Sequence, residues 1–158
     1  MTKTSKIIYF FVTMIFFIFF DLYLTNFAIC NSELLPSNKI IDIVFVQNLG
    51  AAFSILEGAK LFLILFSLAA AVIIIFSTLK NIKQLKLTTI FLVSLLTSGI
   101  ITNMYERIHF GYVRDYIKLN FIDFPVFNIS DIFINISVFA IVIIILWNKY
   151  AKTNENNN

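Results

Sequence analysis

Residues 60–104 read KLFLILFSLAAAVIIIFSTLKNIKQLKLTTIFLVSLLTSGIITNM. Two apolar runs, Lys60 to Leu79 and Leu87 to Met104, flank a short connection that carries Lys80, Lys83 and Lys86. Crossing a hydrocarbon core takes ~20 apolar residues in a helix. No water reaches that core, so every backbone N–H and C=O must be satisfied within the segment, and each run must be helical. The tight, basic connection makes the two runs an antiparallel transmembrane pair, with the lysines on the cytoplasmic side.

Working outward, two more apolar runs appear, Ile7 to Ile29 and Ile132 to Trp147. The fourth is short and calls for snorkelling flanks or a thinned membrane. Lys3 and Lys6 precede the first run, and Lys149 and Lys152 follow the fourth. The positive-inside rule then places both termini and the middle connection in the cytoplasm, and the longer segments 31–59 and 105–131 outside. Trp147 and Tyr150 fit an aromatic belt at the cytoplasmic boundary. The polar tail, 152–158, is expected to be disordered. The whole chain, 1–158, reads as one multi-pass domain, with approximate helices 7–29, 60–79, 87–104 and 132–147.

Composition agrees. Hydrophobic residues make up 59% and charged residues 13%, with a mean hydropathy of +0.90. Soluble domains run at roughly 45–50% and about 25%, so an ordinary soluble domain is excluded. The net charge of +3 comes from basic residues at the ends of apolar segments, which are topology signals and not a nucleic-acid patch. A single cysteine, Cys30, allows no internal disulfide, and no Cys/His cluster or Gly-rich phosphate loop is present. No metal and no organic cofactor is expected. The stretch NFAIC, Asn26 to Cys30, looks faintly like a lipoprotein cleavage box. Ile29 occupies the place of the required small residue and Asp21 interrupts the apolar region, so the first helix is expected to be retained.

The two outer segments hold more than linker. KIIDIVFVQNLGAAFSILEG, Lys39 to Gly58, opens with β-branched and aromatic residues, as short strands do, and passes through Asn48-Leu49-Gly50 to Ala51 and Ala52. The third run leads into SGIITNMYERIHFGYVRDYI, Ser98 to Ile117, where polar groups gather. Ionisable groups at membrane depth are costly, and each is a functional candidate. They are Asp21, Glu106, Arg107, Asp115 and Asp131, with His109, Arg114 and Asp123 assigned to the loop. No serine or cysteine pairs with the lone His109, which leaves carboxylate chemistry. Asp115 lies in the extended-looking YVRDYI, and Asp131 stands where the fourth run begins. If the third and fourth helices pack side by side, the loop between them returns to one membrane face and brings both carboxylates together. Two such groups share one proton. The ionised partner can take a proton from water while the protonated one polarises a peptide carbonyl, and a low-dielectric surround strengthens both effects.

Structural readings stand beside this one. Asp131, after Asn128 and Ser130, can cap the fourth helix. Asp115 with Arg114 can be a solvated ion pair, Asp21 an interfacial anchor, and Asn48 to Gly50 a turn. A small transport or scaffold protein, using intramembrane carboxylates to relay protons or pair helices, is the rival from another class. Against it, the ionisable groups cluster at one face.

Four blocks in order carry a family resemblance. QNLGAAFS, Gln47 to Ser54, resembles N-x-G-A-A-F; SGIITNMYER, Ser98 to Arg107, resembles G-G-A-x-G-N-x-x-D-R. GYVRDYI, Gly111 to Ile117, resembles G-x-V-x-D-F, and FPVFNISD, Phe124 to Asp131, resembles a block ending F-N-x-A-D. Asp21 with Thr25 lies near a fifth, D-x-x-[ST]-K. Together they resemble lipoprotein signal peptidase (signal peptidase II), the membrane aspartic proteases of bacteria. The resemblance implies four transmembrane helices with a small extracytoplasmic β and interfacial-helix subdomain drawn from residues 31–59. It implies a catalytic pair at Asp115 and Asp131, with Asn48, Gly50, Asn103, Arg107 and Asn128 around substrate and pair, and Glu106 and Asp21 in support. The implied substrate is a prolipoprotein carrying a diacylglyceryl group on its cysteine, cut just before that residue at the outer face of the cytoplasmic membrane. Partners are then lipidated prolipoproteins and membrane lipids, with no nucleic acid, and the protein is expected to act as a monomer. Asn128 and Asn103 are expected to hold the pair and substrate, and Arg107 to meet Glu106 or the substrate backbone. The chain departs from the pattern at Ser98, Thr102, Glu106 and Ser130, and Asn26 or Thr25 stands in place of the lysine. A non-catalytic relative that binds lipoproteins is the remaining alternative.

Overall fold

The computed structural model describes residues 1–32, 38–51 and 55–155. The elements run α1 (Lys3–Cys30), β1 (Ile41–Asn48), α2 (Lys60–Asn81), α3 (Leu87–His109), β2 (Val113–Leu119) and α4 (Ile129–Glu155). All four helices are long and apolar enough to cross a membrane. This is the helical membrane fold expected from the sequence, with a small two-stranded antiparallel sheet.

α3 is the central helix, packed against α1, α2 and α4. Its buried face is built from small and polar residues, among them Ser94, Thr97, Ser98, Gly99 and Thr102. In lipid no hydrophobic gain separates one apolar helix from another, so close backbone approach through small residues holds a bundle together. The hydroxyls cost little here because each bonds back to its own helix: Thr97 Oγ1 donates to Val93 O at 2.7 Å, and Thr102 Oγ1 to Ser98 O at 3.0 Å. Gly99 marks a close crossing of α3 and α4. A Cβ there would lie 2.6 Å from the Ser130 carbonyl oxygen and 2.9 Å from Ile134 Cγ1 of α4.

The lysine end of the bundle is closed by Phe10, Met14, Ile82 and Ile90. Lys6 Nζ donates to the carbonyls of Lys83 (2.9 Å) and Leu85 (2.6 Å), so the start of α1 and the α2–α3 connection share one end. The sheet sits at the other end. β1 and β2 pair Val46 with Asp115, Gln47 with Arg114 and Asn48 with Val113, with an irregularity between Ile43 and Val46. α3 ends through Gly111, whose φ of 90° only glycine adopts freely; its N–H bonds Arg107 O at 3.2 Å and the chain turns directly into β2. Phe127 then bridges Ile117, which carries the 124–128 segment alongside β2.

The helices outrun the apolar counts. α3 continues to His109, so Glu106, Arg107 and His109 are helical, and α4 spans 27 residues from Ile129, which lifts the shortness of the fourth run. Hydropathy marks the lipid-facing portion, while a helix continues until its backbone is capped. Residues 152–155 of the tail depart from expectation for the same reason and continue α4, with Thr153 Oγ1 donating to Lys149 O at 3.0 Å, while 156–158 lie outside the described residues. The interfacial helix expected within 31–59 does not occur among its described residues. β1 takes up part of this segment, and turns at 55–58 put Leu56 (φ 62°) and Gly58 (φ 85°) in the left-handed region, which a right-handed helix cannot use. Residues 52–54 of the QNLGAAFS block lie outside the described residues.

Candidate active site

Asn103 and Arg107 are four apart on α3 and so share one face. That face, the pocket-facing side of β2 and the first turns of α4 enclose a cavity of about 490 Å³ at the sheet end of the bundle. Asn48, Asn103, Arg107, Asp115 and Asp131 all line it, and Phe124, Phe127, Ile132 and Ile136 supply apolar wall.

Asp115 projects from β2 and is 2% exposed. Both carboxylate oxygens accept from amides: Oδ2 from Asn48 Nδ2 and Oδ1 from Asn128 Nδ2, each at 2.9 Å. The orientation of the two amides is fixed by backbone donors, because Asn48 Oδ1 accepts the Gly50 N–H (3.0 Å) and Asn128 Oδ1 accepts the Asp131 N–H (2.9 Å). The nitrogens therefore must face Asp115. Burial pushes the Asp115 pKa up to about 7, and the neighbouring Asp131 carboxylate adds to the rise; the two asparagines and Arg107 pull the other way.

Asp131 stands at the third residue of α4, one turn from Asn128. Its Oδ1 accepts from Asn103 Nδ2 at 3.0 Å, and its Oδ2 accepts the Asn128 N–H at 3.2 Å. Asn128 Nδ2 also reaches Asn103 Oδ1 at 3.1 Å, so one buried side chain ties β2, α3 and α4 together. Arg107 closes the floor, with Nη2 on the Gly50 carbonyl (2.6 Å) and Nη1 on Asn103 O (3.2 Å).

Two expectations change. Glu106 does not meet Arg107; its carboxylate takes the Arg114 side chain, Nη2 at 2.5 Å and Nε at 2.9 Å, and also the Arg114 backbone N–H at 2.9 Å. One helical position separates Glu106 from Arg107, which points them in different directions. Arg114 is consequently no solvated partner of Asp115, for the two neighbours stand on opposite faces of the strand. Asp21 lies in the bundle interior, 1% exposed, and accepts from Thr25 Oγ1 (3.3 Å) and from Ser130 Oγ. It buttresses α4 beside Asp131 and does not line the cavity. His109 is exposed and stacked on Tyr105, and Asp123 is exposed.

Asn135 escaped the sequence reading. It lines the cavity one turn beyond Asp131, and its Nδ2 donates to the Asp131 carbonyl at 2.8 Å. An amide four residues after a candidate carboxylate, inside an apolar run, was the available signal.

The chain is similar to known proteins over most of its length. The profile described as signal peptidase (SPase) II matches residues 6–147. A lipoprotein signal peptidase of Streptococcus thermophilus is 36% identical over 110 residues, covering 70% of this chain and 71% of that one. One from Lactobacillus johnsonii is 30% identical over 151 residues, covering 93% and 97%. Among solved structures, a bacterial membrane enzyme determined in meso at 1.9 Å superposes with a TM-score of 0.75 at 26% identity, covering 87% of this chain and 92% of that chain. A second, at 2.3 Å, gives 0.78 at 24% identity, covers 90% of each chain, and supports the fold. The chain belongs to the signal peptidase (SPase) II family.

Proposed function

We propose that this chain is an aspartic endopeptidase that removes the signal peptide from diacylglyceryl-modified prolipoproteins, cutting before the lipidated cysteine. Family membership and four spanning helices make it a multi-pass protease of the bacterial cytoplasmic membrane. The observation that carries the aspartic mechanism is that Asp115 and Asp131, from different elements, line one cavity and are cross-linked through Asn128. The ionised carboxylate takes a proton from water as the water oxygen bonds the scissile carbonyl carbon. Its protonated partner gives a proton to the carbonyl oxygen. The tetrahedral species then breaks its C–N bond: the proton taken from water goes to the departing amine, and one hydroxyl proton returns to the other carboxylate. The pair titrates as one unit.

Asn48, Asn103 and Asn128 hold the pair by their amides, and Arg107 holds the Gly50 loop over the cavity. Glu106 and Asp21 support from behind. The lysine distribution supports cytoplasmic termini, with the sheet and cavity at the outer face, and the aliphatic wall of Ile132 and Ile136 suits a substrate anchored in lipid. The protein acts as a monomer among membrane lipids. Clustering of the carboxylates at one end disfavours a proton relay across the bilayer.

The test is a gel-shift cleavage assay in detergent with a diacylglyceryl-modified prolipoprotein, comparing wild type with folded Asp115→Asn and Asp131→Asn. Cleavage by wild type and by neither variant is expected. Cleavage surviving in either variant would sink the dyad, and binding without cleavage by wild type would make the chain a non-catalytic lipoprotein binder.

A further inference from the structure

Two departures from the family pattern meet on a single side chain. Asn26 is one of the two residues, with Thr25, that stand in place of the lysine the resemblance leads one to expect, and Glu106 stands where it leads one to expect aspartate. Arg114 Nη1 donates to Asn26 Oδ1 at 2.8 Å, while its Nε, Nη2 and backbone N–H all go to the Glu106 carboxylate. The guanidinium also lies 4.2 Å from the centre of the Phe110 ring. Arg114 is 9% exposed and Glu106 2%, so this is a dry, fork-to-carboxylate contact joining α1, α3 and β2.

The next residue is Asp115. Successive side chains of a strand point to opposite faces, so whatever fixes Arg114 on one side fixes the direction of Asp115 on the other. Glu106 grips both the side chain and the backbone N–H of Arg114, which sets the translation of the strand as well as its rotation. It does so from α3, the helix that also delivers Asn103 and Arg107 to the cavity. We propose that the Glu106–Arg114 clamp is a positioning device that sets how Asp115 enters the cavity, with Arg114 as a positioning residue. The inference rests on the reading of Asp115 as half of the catalytic pair.

A buried ion pair is weak evidence of a purely stabilising role, because an apolar pair of similar volume often serves folding equally well, whereas removing one partner strands a charge. That asymmetry supplies the test. Arg114→Met, Glu106→Leu and the double variant are purified in detergent, and Tm, kcat and KM are measured on the lipidated prolipoprotein. Each single variant is expected to lose thermal stability and activity. The double variant is expected to regain Tm, yet keep a kcat lower by about tenfold or more with KM within about twofold, the signature of a misplaced reacting group. Recovery of kcat together with Tm would overturn the proposal. Should the double variant fail to regain Tm, Arg114→Lys decides: it keeps the charge and loses the fork. A folded Arg114→Lys with reduced kcat supports the clamp, and one with wild-type kcat overturns it. Failure of the underlying reading looks different, since an active Asp115→Asn would remove the dyad itself.

Discussion

Asn128 and Asp131 cap one another across the first turn of α4: the Asp131 N–H donates to Asn128 Oδ1 at 2.9 Å, and the Asn128 N–H donates to Asp131 Oδ2 at 3.2 Å. This is a reciprocal cap of the capping-box kind, with both side chains at the N-terminus of a spanning helix. The capping reading and the catalytic reading of Asp131 therefore describe one geometry. The oxygen that caps is Oδ2, while Oδ1 is held by Asn103 at the cavity. Cap and site also share Asn128, whose nitrogen is left to face Asp115 because its oxygen is committed to the helix.

That division can be separated by substitution. Asn128→Ala should lose both roles, with a cap cost of about 0.5–2 kcal/mol and a kcat loss of about tenfold or more. Asn128→Ser keeps a good capping oxygen and removes the amide donors to Asp115 and Asn103. It should recover most of the Tm and little of the activity. Steady-state kinetics beside a thermal melt reads this directly, and a Ser variant restored in both would reduce Asn128 to a cap.

The raised pKa of Asp115 gives the pH dependence its sign. The folded state holds the proton more tightly than the unfolded state, so this group's stabilising contribution is complete below about pH 4 and is lost as pH rises through about 7. Asp115→Asn does not titrate. The Tm of the variant relative to wild type should therefore climb between about pH 4 and pH 7 and level off above, and a flat difference across that window would contradict the assignment. Loss of the Asp115 proton as pH rises through about 7 also removes the protonated partner that the proposed mechanism needs. Wild-type kcat/KM should then fall toward about tenfold per pH unit.

Gly99 sets the distance between α3 and α4, and hence between Asn103 and Asp131. Because a methyl there would press on backbone at Ser130 O and not on a flexible side-chain end, Gly99→Ala should force the helices apart. The expected cost is about 1–3 kcal/mol, with activity lost beyond what the Tm explains. Unchanged melting and turnover would show that the crossing relaxes freely.

The four spans, the strand character of residues 41–48 and the meeting of Asp115 with Asp131 were legible because each follows from local pattern: hydropathy, β-branching, and a loop that must return to its own membrane face. What stayed hidden depended on helix ends and on rotation. Ending the third helix at Met104 put Glu106 in a loop and offered it Arg107 as a partner, whereas α3 runs on to His109 and its phase sends Glu106 to Arg114. The contact of Asp21 with Ser130, 109 positions away, requires knowing which faces of α1 and α4 meet, and spacing carries no information about that.

Asn135 shows the same limit and yields the last expectation. Its amide lines the apolar part of the cavity between Ile132 and Ile136, at a depth in the span where a polar group is costly unless used. One N–H goes to the Asp131 carbonyl; among the described residues Oδ1 has no partner, which leaves an acceptor for a peptide N–H of the substrate. Such a contact binds substrate and transition state alike. Asn135→Leu, which keeps the volume and removes the amide, should raise KM about tenfold while kcat stays within about threefold. If kcat falls at unchanged KM, the bond to the Asp131 carbonyl is what matters: Asn135 would then hold the carboxylate's helix turn in place and leave the substrate to its neighbours.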